Sequence, residues 1–248
     1  MIWLDSVLAT PLIGIRLVPN REKLHEFKDR ALRIISGLYG DFDKIQANRH
    51  KEDFWGYNVK ADNYSFDLLH NNIIVRYEYR HKTHNEAGNL PRLLKPELQS
   101  YSSLFDEIRT QILKIFGIIE IIDGYAFDRI GLVAEVKLDE DSLPPGLKEF
   151  LNHLGKPWNN NINAIGGAIW AELDRNSEKG YSDSCHHTIK FEKDKLETSG
   201  YTLMLDWQRL YEEPIPLRLN SLFEDIENCS SKAFQYFETF GEGDLNYE

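Results

Sequence analysis

The chain has 248 residues, of which 42% are hydrophobic and 28% charged, with 9 prolines and 16 glycines, the balance of a folded chain and not of a disordered or collagen-like one. Forty acids against 29 bases leave a net charge of −11, a field that disfavours broad, sequence-independent binding to phosphate backbones. Cys185 and Cys229 are too few for a disulfide framework and form no CxxC pair, which points to a reducing, cytoplasmic setting. No window of about 18 apolar residues is present, and Asp5 stands where a signal peptide would carry bases, so neither membrane nor export is expected.

In chain order, the apolar run over 12–18, closed by Pro19-Asn20, predicts a strand. Asn20 can cap a helix over 21–37, in which Leu24, Phe27, Ala31, Ile34 and Ile35 recur at helical spacing. Strands are predicted over 55–59, 65–69 and 73–80. The last is the clearest, since Ile73, Val75, Tyr77 and Tyr79 alternate with Arg76, Glu78 and Arg80. Asn71-Asn72 supplies the tight turn before it. A long helix is expected from Pro96, with Leu98, Tyr101, Leu104, Phe105, Ile108, Ile112, Ile115 and Phe116 on one face.

The second half runs in the same order. A strand over 125–138 alternates Ile130, Leu132, Ala134 and Val136 with Arg129, Glu135 and Lys137. A short helix after Pro144-Pro145-Gly146, strands over 164–173, 186–191 and 201–207, and a long amphipathic helix from Leu219 to Phe237 follow. Each half therefore reads β–α–β–β–β–α. The expected fold class is α+β: two pseudo-duplicated lobes, 1–120 and 121–240, with antiparallel sheets and long helices packed on one face, then an acidic tail over 241–248. An unduplicated α+β sandwich would give a similar string.

Acid is concentrated at the end of the chain. Residues 212–248 hold nine acids and two bases, so seven of the eleven net negative charges lie there. Glu224, Asp225 and Glu227 on the last helix are the candidate contacts for a protein partner, against the plainer alternative of a solvated face. Arg76, Arg80 and Lys82, interleaved with Tyr77 and Tyr79, are the alternative candidates for nucleic-acid contact, and Arg49, His50 and Lys51 precede Trp55 in the same way.

The segment Phe127-Asp128-Arg129-Ile130-Gly131-Leu132 resembles the mid-chain Arg-Ile-Gly-Leu segment of a sporadically distributed bacterial family of similar length and no established activity. That family also opens with a strand like 12–18 and closes with an Asp-containing strand, here 201–207 with Asp206, and a long helix. It continues after the motif with an aromatic and an Asn, where this chain has Val133, Ala134 and Glu135. The resemblance implies a bacterial source and a non-catalytic accessory role in mobile or defence-type operons, and it carries over no catalytic residue.

Chemistry-bearing clusters are sparse. His81-x-x-His84 and His186-His187 are the histidine pairs a zinc site could use, but neighbours on a strand face opposite ways, so no metal is expected. Cys185 beside His186 fits a space-filling thiol better than a nucleophile. Glu135 and Lys137 share a strand face in a nuclease-like E-x-K spacing, near Asp123, Asp128 and the 139–141 acid run, with no upstream partner. Were the chain a hydrolase or nuclease, Asp128, Glu135, Lys137 and His187 would be its acids and bases. Gly166-Gly167 lacks phosphate-loop spacing and suggests a close backbone approach. No cofactor is expected.

Overall fold

A computed structural model describes residues 3–18, 33–34, 36–37, 45–46, 49–50, 54–61, 63–69, 71–79, 82–84, 92–94, 98–120, 125–155, 164–193 and 199–242. The predicted helix over 21–37, Arg80, His81, Asp123 and the tail beyond 242 lie wholly or largely outside them. After a 3-10 turn at Trp3–Ser6 come β1 (Leu8–Val18), the short β2 (Ile45–Gln46) and β3 (Arg49–His50), and β4 (Phe54–Ala61). The meander β5 (Tyr64–Leu69) and β6 (Asn72–Tyr77) and a small separate hairpin, β7 (Lys82–His84) with β8 (Arg92–Leu94), lead to helix α1 (Tyr101–Glu120). Then follow β9 (Ala126–Leu138), α2 (Pro145–Gly155), three long strands, β10 (Ala164–Asn176), β11 (Tyr181–Lys193) and β12 (Ser199–Pro216), and α3 (Leu219–Glu242).

These strands do not form two lobes. They form one antiparallel sheet in the order β10-β11-β12-β9-β1-β6-β5-β4-β2, with β3 on β4. The expected pseudo-duplication is overturned at its dividing line. β1 from the first half pairs with β9 from the second along its whole length, from Leu8↔Lys137 to Val18↔Ala126. The strands expected to open the two repeats are spent on each other, leaving no boundary between separate sheets. The helices are not matched covers of two lobes either. α1 lies across β1 and β6, α3 across β9 and β12, and the two touch through Phe234, which packs edge-on against Tyr101 and Phe105.

Alternation decides which side of the sheet carries the core. Ala9, Ile13, Ile15 and Leu17 of β1 are buried with Ile130, Leu132, Ala134 and Val136 of β9 and Leu203, Leu205 and Trp207 of β12. Ile73 and Val75 of β6 and Phe66 and Leu68 of β5 extend the same layer, and α1, α2 and α3 bury Ile108, Leu147, Leu222 and Phe237 in it. Pro11 interrupts no second ladder, because β6 joins β1 only from Leu12 onward. β10–β12 outrun their predicted lengths, since polar residues beyond the apolar pattern, Asp183 and Arg209 among them, stay in the ladder. α1 starts five residues later than predicted. Asp5 caps it from the 3-10 turn, accepting from the Ser102 N–H at 3.0 Å and the Ser100 hydroxyl at 2.9 Å.

Between α3 and the sheet lies a buried ion pair. Arg209 donates through Nε and Nη2 to Asp183 at 2.7 and 2.9 Å, both side chains being no more than 3% exposed, and Lys232 adds a third contact at 3.0 Å. The guanidinium also stacks over Tyr181 at 3.8 Å. Burial works against its charge, but the Asp183 hydrogen bonds outweigh it and hold the Arg209 pKa above its ordinary value. Asp183→Ala leaves that buried cation without its counter-charge and should cost about 3–5 kcal/mol in urea unfolding. A loss below about 1 kcal/mol would show that α3 does not depend on the pair.

Candidate functional site

The opposite face of the sheet contributes no residue to the hydrophobic core, and no described helix packs on it. Strand register assigns to it Thr10, Leu12, Gly14 and Arg16 of β1; Arg129, Gly131, Val133, Glu135 and Lys137 of β9; and Met204, Asp206 and Gln208 of β12. His186 and Thr188 of β11, Trp170 and Glu172 of β10, Asn72, Ile74 and Arg76 of β6 and Asp67 of β5 lie on it as well.

Three features mark this open face. Trp170 is 80% exposed at the outermost long strand, with its ring 6.0 Å from that of His186. A cleft of about 520 Å³ runs over the sheet between Thr10, Arg76, Glu78, Tyr79, Glu135 and Lys137. Toward the other end of the strands from this cleft, Arg16 of β1 stands directly opposite Arg129 of β9. The ladder slips beside this pair, since Leu17 is next matched with Phe127, and the extra residue, Asp128, turns its carboxylate to Arg16 at 2.5 and 2.9 Å. On β12, Asp206 is only 8% exposed. Its Oδ2 accepts from Gln208 at 2.8 Å, its Oδ1 has no partner among the described residues, and burial raises its pKa.

The residues singled out in the sequence are distributed unevenly over this frame. Arg76, Glu135 and Lys137 line the same cleft. Arg76 is held by Asp67 at 2.8 Å, and Asn58 donates to the other oxygen of that carboxylate at 2.5 Å. Lys82 lies on β7, apart from the main sheet, and Arg80 is outside the described residues. On α3, Glu227 pairs with Arg109 of α1, Asp225 interacts with Tyr211, and burial raises the Asp225 pKa. Glu224, by contrast, is exposed beside Phe223, itself 43% exposed. His187 lies across the sheet from Asp128, Glu135 and Lys137, so these four do not converge. Among the described residues no group of three or more His, Cys, Asp or Glu side chains could hold a metal ion. Arg16 and Asp206 were missed as site residues, though the mirrored tripeptides Gly14-Ile15-Arg16 and Arg129-Ile130-Gly131 stand in the sequence to be matched.

No family model and no curated protein matches the chain. Among solved structures it is similar to a rolling circle replication initiator protein from Geobacillus stearothermophilus at 10% identity, covering 89% of this chain and 79% of that one, with a TM-score of 0.24. A score of that size carries no argument about fold or function.

On the helix side, His187 packs against the rings of Tyr236 and Phe237, and its Nδ1 accepts the Asp206 N–H at 3.1 Å. Burial, with the neighbouring His186, pushes its pKa from 6.5 down to about 4. The unfolded chain therefore takes up this proton first as the pH falls. The resulting stability is complete above about pH 6.5 and is lost on the way down to about pH 4, by about 3 kcal/mol in all. The raised pKa of Asp206 acts in the opposite sense at the acid end. His187→Phe keeps the ring packing and should flatten the pH dependence of the urea midpoint in that window, whereas an unchanged slope would remove His187 as its source.

Proposed function

We propose that the protein is a binding protein that takes single-stranded nucleic acid across the open face of its sheet. The observation that carries this reading is Trp170, an 80% exposed indole tilted against His186 on the same face as Arg16, Arg129 and Arg76. An aromatic standing free on a sheet offers a platform to an unpaired base, worth about 1–3 kcal/mol per base, and adjacent arginines can follow the backbone. A duplex hides its base faces and carries denser charge, which a chain of net −11 repels. Part of that charge lies on α3, across the sheet from this face, at Glu224, Asp225, Glu227 and Glu238.

Fluorescence anisotropy with labelled oligodeoxythymidylate, oligouridylate and a duplex of equal length tests the reading. Single strands should bind in preference to the duplex, more weakly as salt is raised, and Trp170→Ala should weaken binding about 5- to 100-fold while leaving the melting temperature unchanged. No binding at low salt, or equal binding of duplex, overturns it.

A second reading, a protein-contacting accessory subunit of a bacterial, defence-type system, is favoured by Phe223, exposed on α3 beside Glu224. Because Asp225 and Glu227 also serve the fold, the informative variant is Glu224→Lys together with Phe223→Ser. Intact-complex mass analysis after native purification from the host should show a stoichiometric partner with the wild type and not with the variant. Retention of that partner by the variant would exclude this patch.

A further inference from the structure

Where β1 meets β9, Gly14-Ile15-Arg16 runs against Arg129-Ile130-Gly131, so that each residue meets its own kind: Gly14↔Gly131, Ile15↔Ile130, Arg16↔Arg129. The isoleucines are wholly buried on the helix side. The glycines and arginines fall on the open face at the centre of the sheet. Like charges directly opposite one another oppose folding, so this pair needs a counter-charge. Asp128 supplies it to Arg16 alone, through two hydrogen bonds. Among the described residues Arg129 has neither a hydrogen bond nor an ion pair; Asp206 and Asp128 act on it only at longer range, while burial and Arg16 lower its pKa from the ordinary guanidinium value.

The glycines add an independent observation. Neither has the positive φ that demands glycine. A Cβ at Gly131 would meet nothing nearer than the Gly14 carbonyl oxygen at 3.8 Å, and one at Gly14 nothing nearer than Ile74 at 3.7 Å. A side chain would therefore fit against the protein. What it would fill is the space above the sheet beside the arginines, and glycine in a central strand is otherwise a cost. On the neighbouring strand the buried Asp206 Oδ1 lacks a donor.

We infer that the Gly14–Gly131 hollow is a nucleotide seat, in which Arg129, with Arg16 beside it, takes a phosphate and Asp206 Oδ1 accepts a hydroxyl or amino donor of the same ligand. Two sources carry this chemistry, a free nucleotide and one unit of a bound strand; the second rests on the single-strand reading above. Guanidinium and phosphate form paired, charge-assisted hydrogen bonds; Arg16 and Arg76 each give donors to a carboxylate, whereas Arg129 gives none among the described residues.

The test is isothermal titration with inorganic phosphate and a nucleoside 5′-monophosphate, alongside oligothymidylate anisotropy, on wild type, Arg129→Gln and Gly131→Val. The monophosphate should bind more tightly than phosphate, and both variants should weaken it about tenfold or more. Their melting temperatures should be unchanged or raised, because Arg129→Gln relieves a like-charge pair and valine suits a strand. A structural role for Arg129 would instead lower the melting temperature. Nucleotide binding that depends on Arg129, without oligonucleotide binding, establishes the free nucleotide as ligand and ends the strand reading. Oligonucleotide binding weakened by Trp170→Ala but indifferent to Arg129→Gln and Gly131→Val overturns the seat and leaves the strand reading standing. Binding of neither ligand overturns both.

Discussion

The pairing of β1 with β9 is the constraint on which the rest of the structure depends. It joins residues more than a hundred positions apart, and both strands are central, with β6 on the outer side of β1 and β12 on that of β9. Closing so long a loop costs conformational entropy before any contact rewards it, so the reward must be concentrated. The wholly buried Ile13, Ile15, Ile130, Leu132 and Ala134 concentrate it in one apolar layer, against which α1 and α3 then pack. A register slip of one residue would turn those side chains outward and the arginines inward, so burial also fixes which groups the open face presents.

The two faces of the sheet handle polar groups differently. On the helix side, several buried polar groups are paired: Asp183 accepts from both Arg209 and Lys232, His187 takes a backbone N–H that the β11–β12 ladder leaves, and the Cys185 thiol meets the Tyr236 hydroxyl at 3.3 Å. On the open face, Asp206 Oδ1 and Arg76 Nε are buried without a partner among the described residues, and Arg129 on the same face makes no ion pair there. Proteins leave few such groups unsatisfied, and those few gather where something else completes them.

Local pattern was legible where a strand has one dry face. The alternation over 73–80 and 125–138 predicted β6 and β9 closely, and the amphipathic periodicity from Leu219 predicted α3. Partner choice was not legible, because alternation says that a face is buried without saying which strand lies beside it. A repeat of element order therefore read as two lobes, when the same strings pair across the division. The site suffered for the same reason. Arg16 and Arg129 are remote in sequence and ordinary singly, and only register makes them neighbours. The acidic run was legible as charge, but Glu227 and Asp225 are bound up with Arg109 and Tyr211 by packing that composition does not encode.

How a chain of net −11 can offer a seat to phosphate follows from where the charge lies. The acids of α3 sit across the sheet from the Arg16–Arg129 pair, beyond a helix–sheet layer of about 10 Å, a typical packing distance. At physiological ionic strength exposed charges are screened over about 8 Å, so a ligand on the open face feels Arg16 and Arg129, with Asp128 and Asp206 beside them, more strongly than the carboxylates of α3. As salt is lowered the screening length grows and the repulsion from α3 reaches further. The local attraction and the long-range repulsion then rise together, so the affinity of such a face varies less steeply with salt than that of a uniformly basic one. A shallow salt slope here would reflect opposed fields of one molecule and not a lack of phosphate contact. The Trp170 stack, which has no net charge, then becomes the salt-independent part of the affinity.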